Sequence, residues 1–300
     1  MSYEFRGFEQ NHKKLLENFN NHQLHHGLLF SGNKGIGKYS FALDFAKEII
    51  LSSSTNKFAD SQKIESESHP DLLIIRKKEK KRDIAVDAVR DINQFLSLTS
   101  AISDHRIIII DAIDDLNRNS NNAILKTLEE PPKNAFLLLI NHNQSKVLDT
   151  IKSRCNLIKF SNPTFLDFKN MLEKKIEGIN EEEVKILAKI SDHSIGSALE
   201  MYNYNAIDLF ESIKDLITRN DCKEILSLAK TISGNEELWD IFEKLINFYF
   251  YNFILIQDGK NKQKTFILME KINSLFAATR NINLDKSQTI VNIFNIAKKE

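Results

Sequence analysis

Apolar positions along this chain follow two regimes. Up to residue 160, short unbroken runs alternate with stretches of helical spacing. From Phe165 onward only helical spacing remains. The runs are Leu28-Leu29-Phe30, Leu72 to Ile75, Ile107 to Ile110, Phe136 to Ile140 and Leu157 to Phe160; each predicts a strand, and Leu72 to Ile75 and Phe136 to Ile140 read as buried ones. Ile107 to Ile110 shows no polar alternation, so both of its faces are covered, as in an inner parallel strand.

Between the runs, helices are predicted after Lys38 (Phe41, Leu43, Phe45, Ala46, Ile49, Ile50), after Asp87 (Val89, Ile92, Phe95, Leu96), over Asn119 to Glu130 (Ala123, Ile124, Leu125, Leu128), and briefly from Val147 to Ile151. Asp87 reads as an N-terminal cap, and Pro131-Pro132 ends the third helix. A short helical pattern at Leu15, Leu16 and Phe19 precedes the first strand. Ser52 to Ser68 is polar and rich in Ser, Lys and Glu, and reads as an excursion or flexible loop. Strand and helix in alternation predict an α/β unit with a parallel sheet.

Beyond it, helical patterns cover 165–176, 181–190, 194–202, 207–218, 222–232, 237–256, 264–279 and 284–297. They are separated at Gly178-Ile179-Asn180, Asp192-His193, Asn205, Gly234-Asn235 and Asp258-Gly259, all turn compositions. Trp239, Phe242, Phe248, Tyr249, Phe250 and Phe253 fall at helical spacing and read as core packing.

Composition narrows the picture. With 42% hydrophobic and 27% charged residues over 300 positions, the chain reads as an ordinary globular protein. Its formal net charge of zero excludes a global basic field, so any DNA contact is local or made through partners. The basic run Lys77 to Arg82 reads either as a solvated hairpin tip or as a phosphate-backbone contact. Cys155 and Cys222 supply neither a disulfide framework nor a paired metal motif, which fits a reducing cytoplasm. Met1 to Phe8 has no apolar core, so no signal peptide is expected. Ile246 to Ile256, interrupted by Asn247 and Asn252, is too short to span a bilayer. His22, His25 and His26 crowd before the first strand without a carboxylate or thiol at ligand spacing, and read as structural.

The first strand runs into Gly32-Asn33-Lys34-Gly35-Ile36-Gly37-Lys38-Tyr39, and a helix follows. Strand, glycine loop and helix are the parts of a phosphate-binding loop, in which backbone N–H groups and the helix N-terminus face an anion. Lys38 is placed to reach the outer phosphates. The next residue in such loops is Ser or Thr, whose hydroxyl holds magnesium; here it is Tyr39, too long and rigid for that role. Ser40 lies one residue on, turned by about 100° around the helix. Asp111 ends the most apolar strand, where an α/β sheet places ligand groups. Glu129 and Glu130 end a helix whose dipole disfavours acids, either for a functional reason or as solvated surface residues.

Several segments together resemble one family, the AAA+ subunits of the bacterial DNA polymerase III clamp loader. They are Leu24 to Gly32, Gly35 to Lys38, His69 to Leu72, Ile84 to Arg90, Asn122 to Pro132 and Ser153-Arg154-Cys155. The resemblance extends over about the first 200 residues; beyond them only length and helicity agree. It implies an α/β P-loop AAA+ domain with a five-stranded parallel sheet at 1–161, a small helical lid domain at 162–205, and an all-α collar domain for oligomerisation at 206–300.

The family contains a gamma/tau type that hydrolyses ATP and a delta-prime type that commonly does not. Tyr39, Ala112 in place of the acid that follows the strand-end Asp in hydrolysing members, and Gly196 in place of a phosphate-sensing Arg all favour the delta-prime type. The end of the sequence at residue 300, where gamma/tau chains continue, agrees. The family also carries four cysteines before the His-Pro-Asp segment; Ser52 to Ser68 has none, so no zinc or other metal is expected.

The resemblance implies a subunit that assists ATP-dependent loading of the sliding clamp during replication. Arg154 would act in trans as an arginine finger on ATP bound to a neighbouring gamma/tau subunit, with Ser153 positioning the turn. Gly32, Gly35, Gly37 and Lys38 form a degenerate phosphate loop that holds an unhydrolysed nucleotide or anion, or nothing. The implied partners are gamma/tau and delta subunits, the sliding clamp indirectly, and primer-template DNA through the complex, in the cytoplasm and without a membrane. The alternatives are a working gamma/tau-like or other P-loop ATPase, and a scaffold in which Arg154 has no role.

Overall fold

The structure, a computed structural model, describes residues 8–77, 83–98, 100–143, 147–219 and 221–298. Two compact units are present: residues up to 171 with 194–196, and residues 172–193 with those from 197 onward.

The first unit holds five strands, β1 (Gly27–Ser31), β2 (Leu72–Arg76), β3 (Arg106–Asp111), β4 (Ala135–Asn141) and β5 (Asn156–Lys159). They form one sheet in the order β2-β3-β4-β1-β5, with every pairing parallel. The helices are α1 (Glu9–Asn20), α2 (Lys38–Ser53), α3 (Lys57–Glu65), α4 (Val86–Ser97), α5 (Arg118–Glu129) and α6 (Asp149–Lys152).

Period-two alternation divides β1 to β4 between two cores. Leu28, Phe30, Ile107, Ile109, Leu138 and Ile140 pack with Leu15 of α1 and Phe41, Phe45 and Ile49 of α2. Leu29, Ile108, Ile110, Leu137 and Leu139 pack with Ile92 of α4 and Ile124 and Leu128 of α5. Because helices cover both faces, β3 can be apolar without interruption, as its sequence indicated. Parallel strands bring their C-terminal ends to one edge of the sheet, so β1, β3 and β4 converge on the loops that follow them.

Two local expectations are corrected. Ser52 to Ser68 is not a loop throughout, since it contains α3. Asn56 caps that helix by accepting from the Ala59 N–H at 3.2 Å. Fully buried Ile64 anchors it in the core, and Asp60 accepts from Ser54 Oγ at 2.7 Å and pairs with Lys63 at 3.1 Å. A single buried isoleucine leaves too little periodicity to announce a helix. Nor is Asp87 the cap of α4: Ala85 holds that position without a side-chain bond, and Asp87 pairs with Arg90 at the surface, 3.0 Å away. The chain before α4 is fixed by a backbone bond from Ile84 N to Asp115 O, 2.7 Å. Of the basic run, residues 78–82 lie outside the described residues, and Lys77 faces Asp115 at 3.5 Å.

α7 (Phe165–Lys175) leads from the first unit into the second, which continues with α8 (Glu181–Ile190), α9 (Ile195–Asn203), α10 (Ala206–Arg219), α11 (Cys222–Ser233), α12 (Glu236–Ile256), α13 (Gly259–Ile282) and α14 (Lys286–Ala297). The breaks have physical causes: Asp192, His193 and Asn205 take left-handed backbone conformations, and Asn180 forms a capping box with Glu183. Trp239, Phe242 and Phe250 of α12 are buried with Phe276 and Phe294. Phe248, Tyr249 and Phe253 are only half-buried, and Leu255 and Ile256 are exposed. The aromatic stripe is therefore core at its start and surface at its end. No described helix is long and apolar enough to cross a membrane.

Candidate functional site

The loop from β1 to α2 brings Gly32, Gly35, Gly37 and Lys38 together at the C-terminal edge of the sheet. Gly37 sits at φ +97° immediately before α2, a conformation a side chain would strain. A Cβ at Gly32 would run into the carbonyl oxygen of Phe160. The shape of a phosphate loop is thus present, and its lysine and several of its carbonyls are bonded within the chain. Lys38 Nζ donates to Gly32 O at 2.6 Å and to Asn33 O at 2.5 Å. Burial lowers its pKa to about 8, against the pull of Asp111 and Asp114.

The loop carbonyls are bonded from outside as well. Ser194 Oγ donates to Lys34 O at 2.7 Å, and Gly196 N donates to Gly35 O at 2.8 Å. A Cβ at position 196 would lie 3.0 Å from both Cα and O of Gly35. Position 196 is therefore used for direct backbone contact with the loop.

Tyr39 is equally engaged. Its hydroxyl donates to Glu67 Oε1 at 2.6 Å, and the Arg76 guanidinium lies over its ring, 4.4 Å from the centroid. Arg76 closes the set with a 2.7 Å pair to Glu67. Burial and the bond to Glu67 raise the phenol pKa, so it stays protonated. Asp111 has its pKa raised by burial and has His142 Nε2 at 3.7 Å. His142 is lowered to about 4, by burial first and then by Lys38 and Lys34. Asp114 accepts from the backbone of His142 and Asn143 at 2.6 and 3.1 Å and from the Asn141 side chain; its work is to hold the turn after β4. Ala112 is buried and offers no acid. This donor set does not fit magnesium-bound ATP as a hydrolysing site holds it, because Tyr39 and not a short hydroxyl directly follows Lys38.

The opposite edge of the sheet is built differently. α6 ends at Lys152, Ser153 caps it, and β5 begins at Asn156, beside Leu28 at the start of β1. Arg154 therefore stands at the N-terminal edge. β1 has five residues, so at about 3.3 Å each roughly 16 Å of strand separates Arg154 from the phosphate loop. Its side chain is 34% exposed and paired with Glu129 Oε1 at 2.7 Å. Nη1 donates to Thr150 O at 2.8 Å and to Ser153 Oγ at 3.3 Å. The Ser153 hydroxyl donates to Thr150 O at 3.1 Å.

Cys155 is a packing residue: a Cβ at Gly27 would lie 3.2 Å from its sulfur and 3.1 Å from Leu128, and burial pushes the thiol up to about 12. His26 Nε2 bonds Leu128 O at 2.9 Å and its ring stacks on His25 at 4.3 Å, tying the end of α5 to the start of β1. These histidines are structural. Among the described residues, no cluster of His, Cys, Asp or Glu could hold a metal.

Sequence reasoning missed Glu67, Arg76 and Ser194, which occupy the loop from distant segments. It also missed the partner of Glu129, although the clash between that acid and its helix end was a legible signal.

Residues 8–164 match the family described as DNA polymerase III, delta subunit. DNA polymerase III subunit delta' of Pseudomonas aeruginosa is 33% identical over 135 residues, covering 43% of this chain and 41% of that protein. DNA polymerase III subunit gamma of Buchnera aphidicola subsp. Schizaphis graminum is 30% identical over 282 residues, covering 91% of this chain and 71% of that protein. A crystal structure of a DNA polymerase III, gamma subunit-related protein from Thermotoga maritima superposes with a TM-score of 0.55 at 20% identity, over 97% of this chain and 98% of that one. That likeness bears on the fold, which is of the AAA+ class.

Proposed function

This chain belongs to the DNA polymerase III delta-subunit family of clamp-loader proteins, and on that premise we propose that it is a non-hydrolysing, delta-prime-type subunit that lends Arg154 to a neighbouring ATPase. The observation that carries the reading is the placement of its two motifs at opposite edges of one sheet. Arg154 is too far from its own phosphate loop to serve it, and the carbonyls of that loop are braced by Lys38, Ser194 and Gly196.

A guanidinium that is partly exposed and always charged suits an anion presented by another molecule. Aimed at the γ-phosphate of ATP on an adjoining gamma/tau subunit, Arg154 would stabilise the charge of the transferring phosphoryl group, an effect of about a thousandfold or more in rate. Ser153 holds the turn that carries it. The nucleotide belongs to the neighbour; the loop of Gly32, Gly35, Gly37 and Lys38 acts as a structural joint. Gamma/tau and delta subunits, the clamp and primer-template DNA are the proposed partners. Residues 1–161 form the P-loop-type domain, 162–205 a lid and 206–300 the collar of that assembly.

A working gamma-type ATPase is the second reading, favoured by the long match to the Buchnera gamma subunit. ATP turnover by the purified chain with magnesium separates the two. We expect no turnover above background, and none altered by Lys38→Ala. Appreciable turnover abolished by Lys38→Ala would establish the ATPase instead.

A further inference from the structure

We propose that Glu129 is the positioning residue for Arg154, an inference that rests on the trans role given to Arg154 above. Glu129 occupies the last turn of α5, where the helix dipole opposes a negative charge. A cation beside it offsets that opposition, and Arg154 supplies one at 2.7 Å. The benefit runs in the other direction too. Arginine has several rotatable bonds, and an unanchored guanidinium would have to be ordered each time a phosphate arrived.

Here the planar group is held from two sides. α5 contributes Glu129 to Nη2, while the end of α6 contributes Thr150 O and Ser153 Oγ to Nη1. Both supports are themselves fixed. The end of α5 is tied to β1 through the His26 bond to Leu128 O, and Pro131-Pro132 begins two residues after Glu129. The backbone of Arg154 packs against Gly27, where a Cβ would come within 3.3 Å of Arg154 O. Those contacts use three N–H bonds of a group that has five, so donors remain for an incoming anion without breaking the pair. Glu129 thus sets the plane and reach of the guanidinium rather than touching the reacting atoms.

The test uses a reconstituted clamp loader whose only competent ATP site is the one facing this chain, with DNA-stimulated turnover as readout. Glu129→Ala is expected to lower kcat about tenfold while KM for ATP changes less than about twofold. Glu129→Gln, which keeps the shape and a weaker hydrogen bond, should recover part of the loss; being isosteric, it also serves if the alanine variant folds poorly. Adding Glu129→Ala to Arg154→Ala should cost nothing further, because a positioning residue has no effect without the group it positions. If Arg154→Ala lowers turnover but Glu129→Ala leaves it unchanged or raises it, the positioning role is wrong and the trans role stands. Two losses that multiply in the double variant would overturn the positioning role in the same way. If Arg154→Ala itself has no effect, the trans role fails, and the inference resting on it fails with it.

Discussion

The two edges of the sheet differ in what their charged groups are doing. At the C-terminal edge, where α/β sheets bind ligands, Lys38 is buried and bonded to its own loop, and Tyr39, Glu67 and Arg76 satisfy one another. At the N-terminal edge, Arg154 is paired yet partly open to solvent. The glycine loop is thus the more internally bonded of the two motifs.

That contrast can be broken most severely at Gly196. Gly196→Ala places a methyl 3.0 Å from the backbone of Gly35. We expect a loss of about 2 kcal/mol, read as a shift in denaturant midpoint at constant m-value. An unchanged midpoint would mean the loop yields freely and is not closed by this contact.

A smaller effect of comparable diagnostic value is expected at His142. Burial lowers its folded pKa to about 4 from the ordinary histidine value of 6.5. The unfolded chain therefore binds a proton between these values when the folded chain does not, and stability falls as pH drops from 6.5 to 4. His142→Asn should remove about 1–2 kcal/mol of that acid sensitivity, measured as unfolding free energy at about pH 7 and about pH 4.5. Equal pH slopes in the two proteins would place the imidazole in a more open setting than the closed edge implies.

Smallest is Tyr39→Phe, which deletes the hydroxyl bond to Glu67 and leaves the ring under Arg76. It should cost about 1 kcal/mol in thermal or denaturant unfolding. A neutral or stabilising outcome would show that the phenol is not part of what fills the site.

Much of the fold was legible because burial writes itself into period and run length. Ile107 to Ile110 announced a strand covered on both faces, and β3 is one. α3 was not legible, since one buried apolar residue, Ile64, and a cap at Asn56 hold it. The outer half of the α12 aromatic stripe was misplaced because spacing gives the face a residue occupies but not where the helix leaves the core. At the site, local chemistry was readable and long-range pairing was not. Tyr39 declared what the loop lacked, but Glu67, Arg76 and Ser194 come to that loop from positions 28, 37 and 155 residues further along the chain than Tyr39, a separation at which no sequence spacing speaks. Glu129 could be seen to be misplaced on its helix; only the fold supplied Arg154 as the reason.

The measurement that bears most directly on the borrowed-site mechanism is DNA-stimulated ATP turnover by the reconstituted loader in which the only competent site faces this chain, with and without Arg154→Ala. We expect kcat to fall by about a thousandfold with the unfolding midpoint of the isolated chain almost unmoved, since an exposed ion pair contributes at most about 1 kcal/mol. Turnover equal to that of the unaltered complex would contradict a trans-acting Arg154.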